Sequence, residues 1–193
     1  GKWHLTRARD MSPAGPFHQW PLGRGFQRYY GFLYSLVDQW HPELVCDNRY
    51  IETPMRPGYH LSEDLVDQTI DMIGATHASD PDRPFFAYLA FGACHGPLQA
   101  PREHIDAYRG AFDEGWDVMR ERWYRRQLEM GIIPKGTQLT PRDATVPAWD
   151  SLSSKEKQFC ARGQEVFAGF LTHTDEQIGR LINWLERRGM LEN

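Results

Sequence analysis

A continuous apolar run, Phe85-Phe86-Ala87-Tyr88-Leu89-Ala90-Phe91, constrains the fold of this chain more than any other feature. The run follows a turn rich in Asp and Pro at residues 80–84, and apolar and polar side chains do not alternate along it. Such a pattern is typical of a central strand in a parallel sheet, buried on both faces. We therefore predict an α/β fold in which residues 85–91 form a central strand.

The loop after this run carries a candidate functional residue, His95. It lies in the sequence Gly92-Ala93-Cys94-His95-Gly96-Pro97, which starts where the apolar run ends. Ligands of open α/β sheets bind outside the carboxyl ends of the strands, so the loop is predicted to lie at a site. A solvated or capping role is the alternative for this histidine.

Helix signals occupy much of the remaining chain. Ser62 is a candidate N-cap, because acidic residues follow it in the first turn and apolar residues then recur at helical spacing. A capping box at residues 153–156 begins a second long helix, which is predicted to end at Gly189. Two further helices are predicted at residues 101–109 and 113–130.

Residues 7–57 are rich in Gly, Pro and aromatic side chains. Exposing these rings together would create a large apolar patch, so we expect most of them to pack onto a scaffold. The segment is predicted to be an ordered wall or lid with short elements, rather than a linker.

Composition excludes several classes of protein. The chain has 193 residues, 40% of them hydrophobic, which is enough for one globular domain with a core. Its 22 basic and 26 acidic residues give a net charge of −4, so no nucleic-acid partner is indicated. No apolar run reaches the roughly 20 residues that a membrane segment needs.

The three cysteines, Cys46, Cys94 and Cys160, are too few and too far apart to predict a disulfide framework or a zinc site. Cys94 adjoins His95, but no second base or orienting group lies near it in sequence. A nucleophilic Cys/His pair is therefore not predicted.

A dense polar motif, Gly1-Lys2-Trp3-His4, stands at the very start of the chain. A cation and an imidazole that flank a Trp are typical of the interior of a domain rather than of a terminal tail. We expect the chain to begin in mid-domain, and Lys2 and His4 are candidate site residues.

Several motifs together resemble the type I sulfatases of the alkaline phosphatase-like superfamily, and the longer arylsulfatases in particular. Gly1-Lys2-Trp3-His4 resembles the second signature of that family. The other similar segments follow in the family's order: Gly25-Phe26-Gln27-Arg28-Tyr29-Tyr30-Gly31-Phe32, Asp38-Gln39-Trp40-His41-Pro42-Glu43-Leu44, Pro84-Phe85-Phe86-Ala87-Tyr88, Cys94-His95-Gly96-Pro97 and Thr174-Asp175-x-x-Ile178-Gly179. The resemblance covers essentially the whole chain.

This resemblance implies a fold and a set of roles. Residues 1–193 would be the central part of a sulfatase catalytic domain, with a partial mixed sheet flanked by helices and incomplete at both ends. Lys2 would contact the sulfate and the nucleophile, His4 would assist the nucleophile, and His95 would bind sulfate and protonate the leaving oxygen. The substrate would be a small-molecule sulfate ester, with Ca²⁺ as cofactor.

The family's nucleophile is a formylglycine made from Cys or Ser in the pattern Cys/Ser-x-Pro-x-Arg, and no Cys or Ser of this chain begins that pattern. The family's calcium ligands lie upstream and downstream of the matching region. Asp47-Asn48 resembles the downstream pair in composition but stands in the wrong order, so it is given no metal role. The isolated chain is therefore expected to be inactive.

Two other functions remain open at the level of sequence. One is a phosphonate or phosphodiester hydrolase of the same superfamily, which shares the scaffold and differs at the nucleophile. The other is a sulfatase-like module that binds anions without turnover. His173 and Asp175 could be ligands in principle, but a structural or surface role is favoured because they have no partners nearby in sequence.

Overall fold

The structure is a computed structural model that describes residues 1–54 and 56–192; Met55 and Asn193 lie outside the described residues. It is an α/β structure, as predicted, whose longer elements are listed here in chain order. They are β1 (Tyr30–Gly31), β2 (Leu44–Cys46), β3 (Arg49–Ile51), α1 (Leu61–Ser79), α2 (Arg102–Asp106), α3 (Gly115–Glu129) and α4 (Ser154–Arg187). Short 3-10 turns lie at Ala8–Asp10, Leu22–Arg24 and Trp149–Ser151.

The chain divides into two compact units. The first unit contains Gly1–Pro101 and the chain from Phe170 onward, and the second contains Arg102–Gly169. Helix α4 contributes to both units. All of the predicted site residues, Lys2, His4 and His95, belong to the first unit.

A small antiparallel sheet with the order β1-β2-β3 forms part of the first unit. Tyr30 pairs with Cys46, and Leu44 pairs with Ile51. Asp47 and Asn48 form the turn between β2 and β3, and Asp47 has a positive φ of 55°. Asp and Asn tolerate this left-handed conformation better than most residues, which explains the composition of the turn.

Two apolar clusters form the core of the first unit. One gathers around Phe32, Leu44, Leu61 and Leu65, and the other is aromatic and contains Trp3, Trp20 and Tyr29. Of the nine aromatic rings of the predicted wall, four are buried and four are partly buried, whereas Tyr34 is 39% exposed.

Helix α1 is capped two residues earlier in the sequence than the pattern at Ser62 predicted. Its N-cap is His60, whose imidazole Nδ1 accepts a hydrogen bond from the Ser62 backbone N–H at 3.1 Å. Ser62 is itself a buried residue of the first turn. A buried imidazole can satisfy an N-terminal donor of a helix as a hydroxyl or carboxylate does, but propensity rules give it little weight.

The prediction of a central strand at residues 85–91 was wrong for the structure described. These residues form no regular strand, and Phe86 is 80% exposed and Tyr88 57% exposed. A strand requires hydrogen-bonded neighbours as well as apolar side chains. The backbone contact of this segment with the start of the chain is the Lys2 N–H donating to the Ala90 carbonyl at 2.7 Å.

The remaining helices agree with the predictions. Ser153 and Glu156 form the predicted capping box: the Glu156 carboxylate accepts from the Ser153 backbone N–H at 2.8 Å. The helix that follows ends in a Schellman motif, in which the Met190 N–H donates to the Leu185 carbonyl and Gly189 has φ +66°. None of the helices in the described part of the chain is both long and apolar enough to cross a membrane.

Candidate active site

The segment Gly1–Leu5, here called the Lys2 segment, is held between two neighbouring stretches of chain by backbone hydrogen bonds. The Lys2 N–H donates to Ala90 O at 2.7 Å, and the Trp3 and His4 N–H groups donate to Phe32 O and Leu33 O at 3.0 and 3.1 Å. Lys2 forms a parallel bridge with Phe32. These bonds place the segment beside the chain that leads into His95.

Two glycines allow the backbones to approach this closely. A Cβ added at Gly31 would lie 2.0 Å from the Gly1 carbonyl oxygen, and one at Gly1 would lie 2.5 Å from Ala90 O. The Gly1 carbonyl also accepts from the Tyr29 hydroxyl at 3.0 Å. A side chain at either glycine would therefore push the Lys2 segment away from its neighbours.

Trp3 anchors the segment between the two candidate site residues. Its side chain is 8% exposed, its indole N–H donates to Gln19 O at 2.7 Å, and its ring meets Phe26 edge-on at 5.9 Å. His4 follows with a φ of +51° and an exposed side chain. A left-handed non-glycine residue costs about 1 kcal/mol or more, so the surrounding bonds must hold His4 in place.

A cavity of about 600 Å³ opens next to Lys2 in the first unit. Four cationic residues line it, Lys2, Arg24, Arg28 and Arg83, together with aromatic rings such as Phe26 and Tyr88. Among the described lining residues there is no Asp or Glu, although Arg28 is paired with Asp47 at 3.3 Å. Such a lining favours anions. The sequence analysis assigned no anion-binding role to the three arginines, of which only Arg28 lies within a motif.

His95 lies on an exposed turn, within residues 92–99, here called the His95 loop. Its N–H donates to Gly92 O at 3.0 Å, and its ring Nδ1 lies 3.0 Å from Gly96 O. Because a carbonyl can only accept, Nδ1 carries the proton in this hydrogen bond. The Nε2 atom is then the nitrogen that can exchange a proton with a bound group.

The other polar candidates have structural partners or lie at the surface. His173 is 1% exposed, with Nε2 at 3.1 Å from Glu63 and its ring 4.4 Å from that of His60. Asp175 is exposed. Burial raises the pKa of the Cys94 thiol, which opposes a thiolate nucleophile there.

The described residues do not fit a calcium site. No group of three or more His, Cys, Asp or Glu among them is placed to hold a metal ion. Asp47, whose pair with Asn48 resembles a ligand pair of the family in composition, instead accepts hydrogen bonds from the Tyr29 N–H at 2.9 Å and from Arg28.

Comparison with known proteins identifies the family. The Sulfatase family profile matches residues 1–193. An uncharacterised sulfatase of Schizosaccharomyces pombe is 31% identical over 209 aligned residues, and an arylsulfatase of Klebsiella aerogenes is 29% identical over 206. Both alignments cover all of this chain, but they cover only 36% of the S. pombe protein and 41% of the K. aerogenes protein.

The fold has relatives among solved structures. The crystal structure of Ps i-CgsB in complex with k-i-k-neocarrahexaose is similar to this chain, with a TM-score of 0.59 and 18% sequence identity. The match covers all of this chain and 34% of the Ps i-CgsB chain. At that identity the match supports the fold alone. The chain thus spans about a third to two fifths of the length of the proteins it resembles.

Proposed function

Because this chain belongs to the sulfatase family, we propose that the protein containing it hydrolyses a sulfate monoester of the aryl type. The observation that carries the proposal is the match of the family over all of residues 1–193. The backbone hydrogen bond from Lys2 to Ala90 supports it, because that bond ties the segment bearing Lys2 and His4 to the chain that leads into His95.

In the proposed reaction the S–O bond of the ester breaks while a nucleophile adds to sulfur. The Lys2 ammonium balances the negative charge on the sulfuryl oxygens, as a point charge that demands no planar geometry. His4 assists the nucleophile. His95, in its protonated form, gives the Nε2 proton to the departing alkoxide or phenoxide.

In this proposal, neither the nucleophile nor the residues that bind the cofactor belong to residues 1–193. The family resemblance implies a formylglycine as nucleophile and Ca²⁺ as cofactor, which would supply further positive charge at the sulfate. The isolated 193-residue polypeptide is therefore proposed to be inactive. Calcium-dependent turnover of an aryl sulfate by this polypeptide alone would contradict that part of the proposal.

The test replaces Lys2 and His95 by Ala in the complete protein and measures the hydrolysis of 4-nitrophenyl sulfate. We expect each variant to lose about 10²- to 10³-fold in kcat/KM, the range for loss of a charge-stabilising or proton-transferring group. Lys135→Ala and His18→Ala are matched controls at exposed positions and should keep the wild-type rate. Equal rates for the site variants and the controls would reject the assigned roles.

Assays of the complete protein with other esters distinguish the two alternative functions. Preference for a nitrophenyl phosphonate or a phosphodiester over the sulfate would favour the phosphoryl-transfer members of the superfamily. Binding of sulfate without turnover of any of these esters, lost in Lys2→Ala, would indicate a non-enzymatic anion-binding module.

A further inference from the structure

Gln99, at the carboxyl end of the His95 loop, uses all of its polar side-chain groups. Its Nε2 donates to Asp38 Oδ2 at 2.7 Å, and its Oε1 accepts from the Gln39 backbone N–H at 2.7 Å. Its backbone carbonyl lies 3.1 Å from His60 Nε2. Since His60 Nδ1 accepts from Ser62, the proton of a neutral imidazole is on Nε2 and is donated to Gln99.

The other end of the loop meets the same segment. Gly92 lies so close to the buried Gln39 side chain that a Cβ added to it would be 2.9 Å from Gln39 Nε2. The loop is therefore hydrogen-bonded to Asp38 and Gln39 at its carboxyl end and packs closely against Gln39 at its amino end, while His95 between them is exposed. Within the loop, the turn bond from the His95 N–H to Gly92 O sets the backbone of the histidine.

Asp38 is itself held rigidly. Its Oδ1 accepts from the Trp40 and His41 N–H groups at 2.8 and 2.7 Å, which leaves Oδ2 for Gln99. Desolvation acts to raise the pKa of Asp38, but the hydrogen bonds from Gln99, His41 and Trp40 outweigh it, so that the pKa is lowered. The carboxylate thus stays ionised near neutral pH and acts as an acceptor only.

We propose that Asp38 and Gln99 form a positioning pair that fixes the His95 loop, so that His95 is presented at the geometry that proton transfer requires. The inference deepens the proposed function and rests on it for the role of His95. Neither member of the pair is proposed to touch the substrate. Sequence analysis did not single out either residue for this role, because 61 residues separate them.

The geometry allows a reciprocal swap. Asp38→Asn alone sets an amide N–H₂ against the N–H₂ of Gln99, and Gln99→Glu alone sets two carboxylates against each other. In the double variant Asp38→Asn/Gln99→Glu, the donor and the acceptor exchange places. The bonds from Gln39, Trp40 and His41 can all be kept, so the swap changes the direction of a single hydrogen bond.

The experiment measures these variants in the complete protein, with Gln127→Glu at an exposed position of α3 as the control. We expect each single variant to lower kcat about ten- to hundredfold, because small misplacements of a catalytic group have effects of that size. KM should change less, and the double variant should recover most of the loss. Gln99→Glu should also regain activity toward low pH, because the introduced carboxyl group can donate to Asp38 once it is protonated.

Amide hydrogen exchange of residues 91–98 gives a readout that does not depend on activity. Each single variant should exchange about tenfold faster there, and the double variant should return to the wild-type rate. The proposal is overturned if the single variants leave both kcat and loop exchange unchanged, or if the swap restores neither.

The two proposals can fail separately. If the complete wild-type protein cleaves no sulfate ester, the proposed function falls and the pair is judged on exchange alone. Faster exchange in the single variants with recovery in the swap then supports the positioning of the loop, and unchanged exchange rejects it. Loss of activity in the single variants without recovery in the swap rejects the pairing, whatever the substrate.

Discussion

The two units of this chain satisfy their polar groups in different ways. The first unit contains a buried group of bonded polar side chains: the Asp64 carboxylate, 4% exposed, accepts from the hydroxyls of Tyr30 and Tyr59 at 2.5 and 2.9 Å. In the second unit, the Arg162 side chain, 44% exposed, joins Asp106 and the buried Glu165 at 3.1 and 2.6 Å. The first unit should therefore be sensitive to lost partners and added volume, and the second should tolerate changes in charge.

The largest effect is expected at Gly31, where backbones of the first unit meet. In Gly31→Ala the new methyl group would clash with the Gly1 carbonyl at 2.0 Å, and the φ of +155° is unfavourable for Ala. Overpacking and backbone strain together should lower the free energy of unfolding by about 4 kcal/mol. Urea unfolding of the complete protein measures this.

Gly25→Ala is the matched control for that substitution. Gly25 also has a positive φ, +102°, but nothing lies within 4 Å of an added Cβ. The control should therefore show only the backbone cost of about 1–2 kcal/mol. If the two variants lose equal free energy of unfolding, the close approach of Gly31 to the Gly1 carbonyl contributes nothing to the loss in Gly31→Ala.

The next effect is expected at Asp64, whose removal leaves two buried hydroxyls without their acceptor. Asp64→Ala should lower the free energy of unfolding by about 3 kcal/mol, because unsatisfied buried polar groups are costly. Asp71→Ala, at an exposed position of the same helix, should change it by less than about 0.5 kcal/mol. A comparable effect at both positions would remove the contrast between buried and surface polar groups.

Alkaline pH should destabilise the first unit through its tyrosines. Burial raises the pKa of Tyr30 and Tyr59, with the hydrogen bonds and charge of Asp64 adding to it, and raises the pKa of Tyr50 to about 12. The folded state then holds the hydroxyl protons of these tyrosines more tightly than the unfolded chain, in which tyrosines titrate at about pH 10. The stabilisation is fully present below about pH 10 and is lost progressively as the pH rises from there through the pKa values of the folded state.

The measurement is urea unfolding between pH 8 and pH 11, and the free energy of unfolding should fall as the pH rises above about 10. Tyr59→Phe removes one titrating group and should make that fall less steep. A free energy that stays level to pH 11 would contradict the prediction.

The smallest effect is expected in the ion pairs of the second unit. Arg162→Ala should destabilise the fold much less than Asp64→Ala, because Glu165 loses a charged partner but still accepts from the Gly110 N–H at 2.7 Å. Arg125→Ala removes a pair whose arginine is 72% exposed and should cost less than about 0.5 kcal/mol. Added salt should reduce the Arg162 effect; a loss as large as that of Asp64→Ala would show that the second unit is no more tolerant than the first.

The sequence by itself determined the family, the α/β class and most of the helices. These features depend on local signals, such as the capping box at Ser153 and Glu156 and the glycine that ends α4. It also identified Lys2, His4 and His95 as candidates, through motifs that each lie within a few residues. Their catalytic roles stay predictions.

Only the tertiary structure decided which distant groups support these candidates. A propensity rule pointed to Ser62 as the cap of α1, whereas a buried imidazole at His60 takes that place and also bonds Gln99. The apolar run at residues 85–91 predicted a strand, but strand formation depends on hydrogen-bonded neighbours that side-chain patterns do not specify. The contact between Asp38 and Gln99 joins residues far apart in sequence, and its formation depends on how the whole first unit packs.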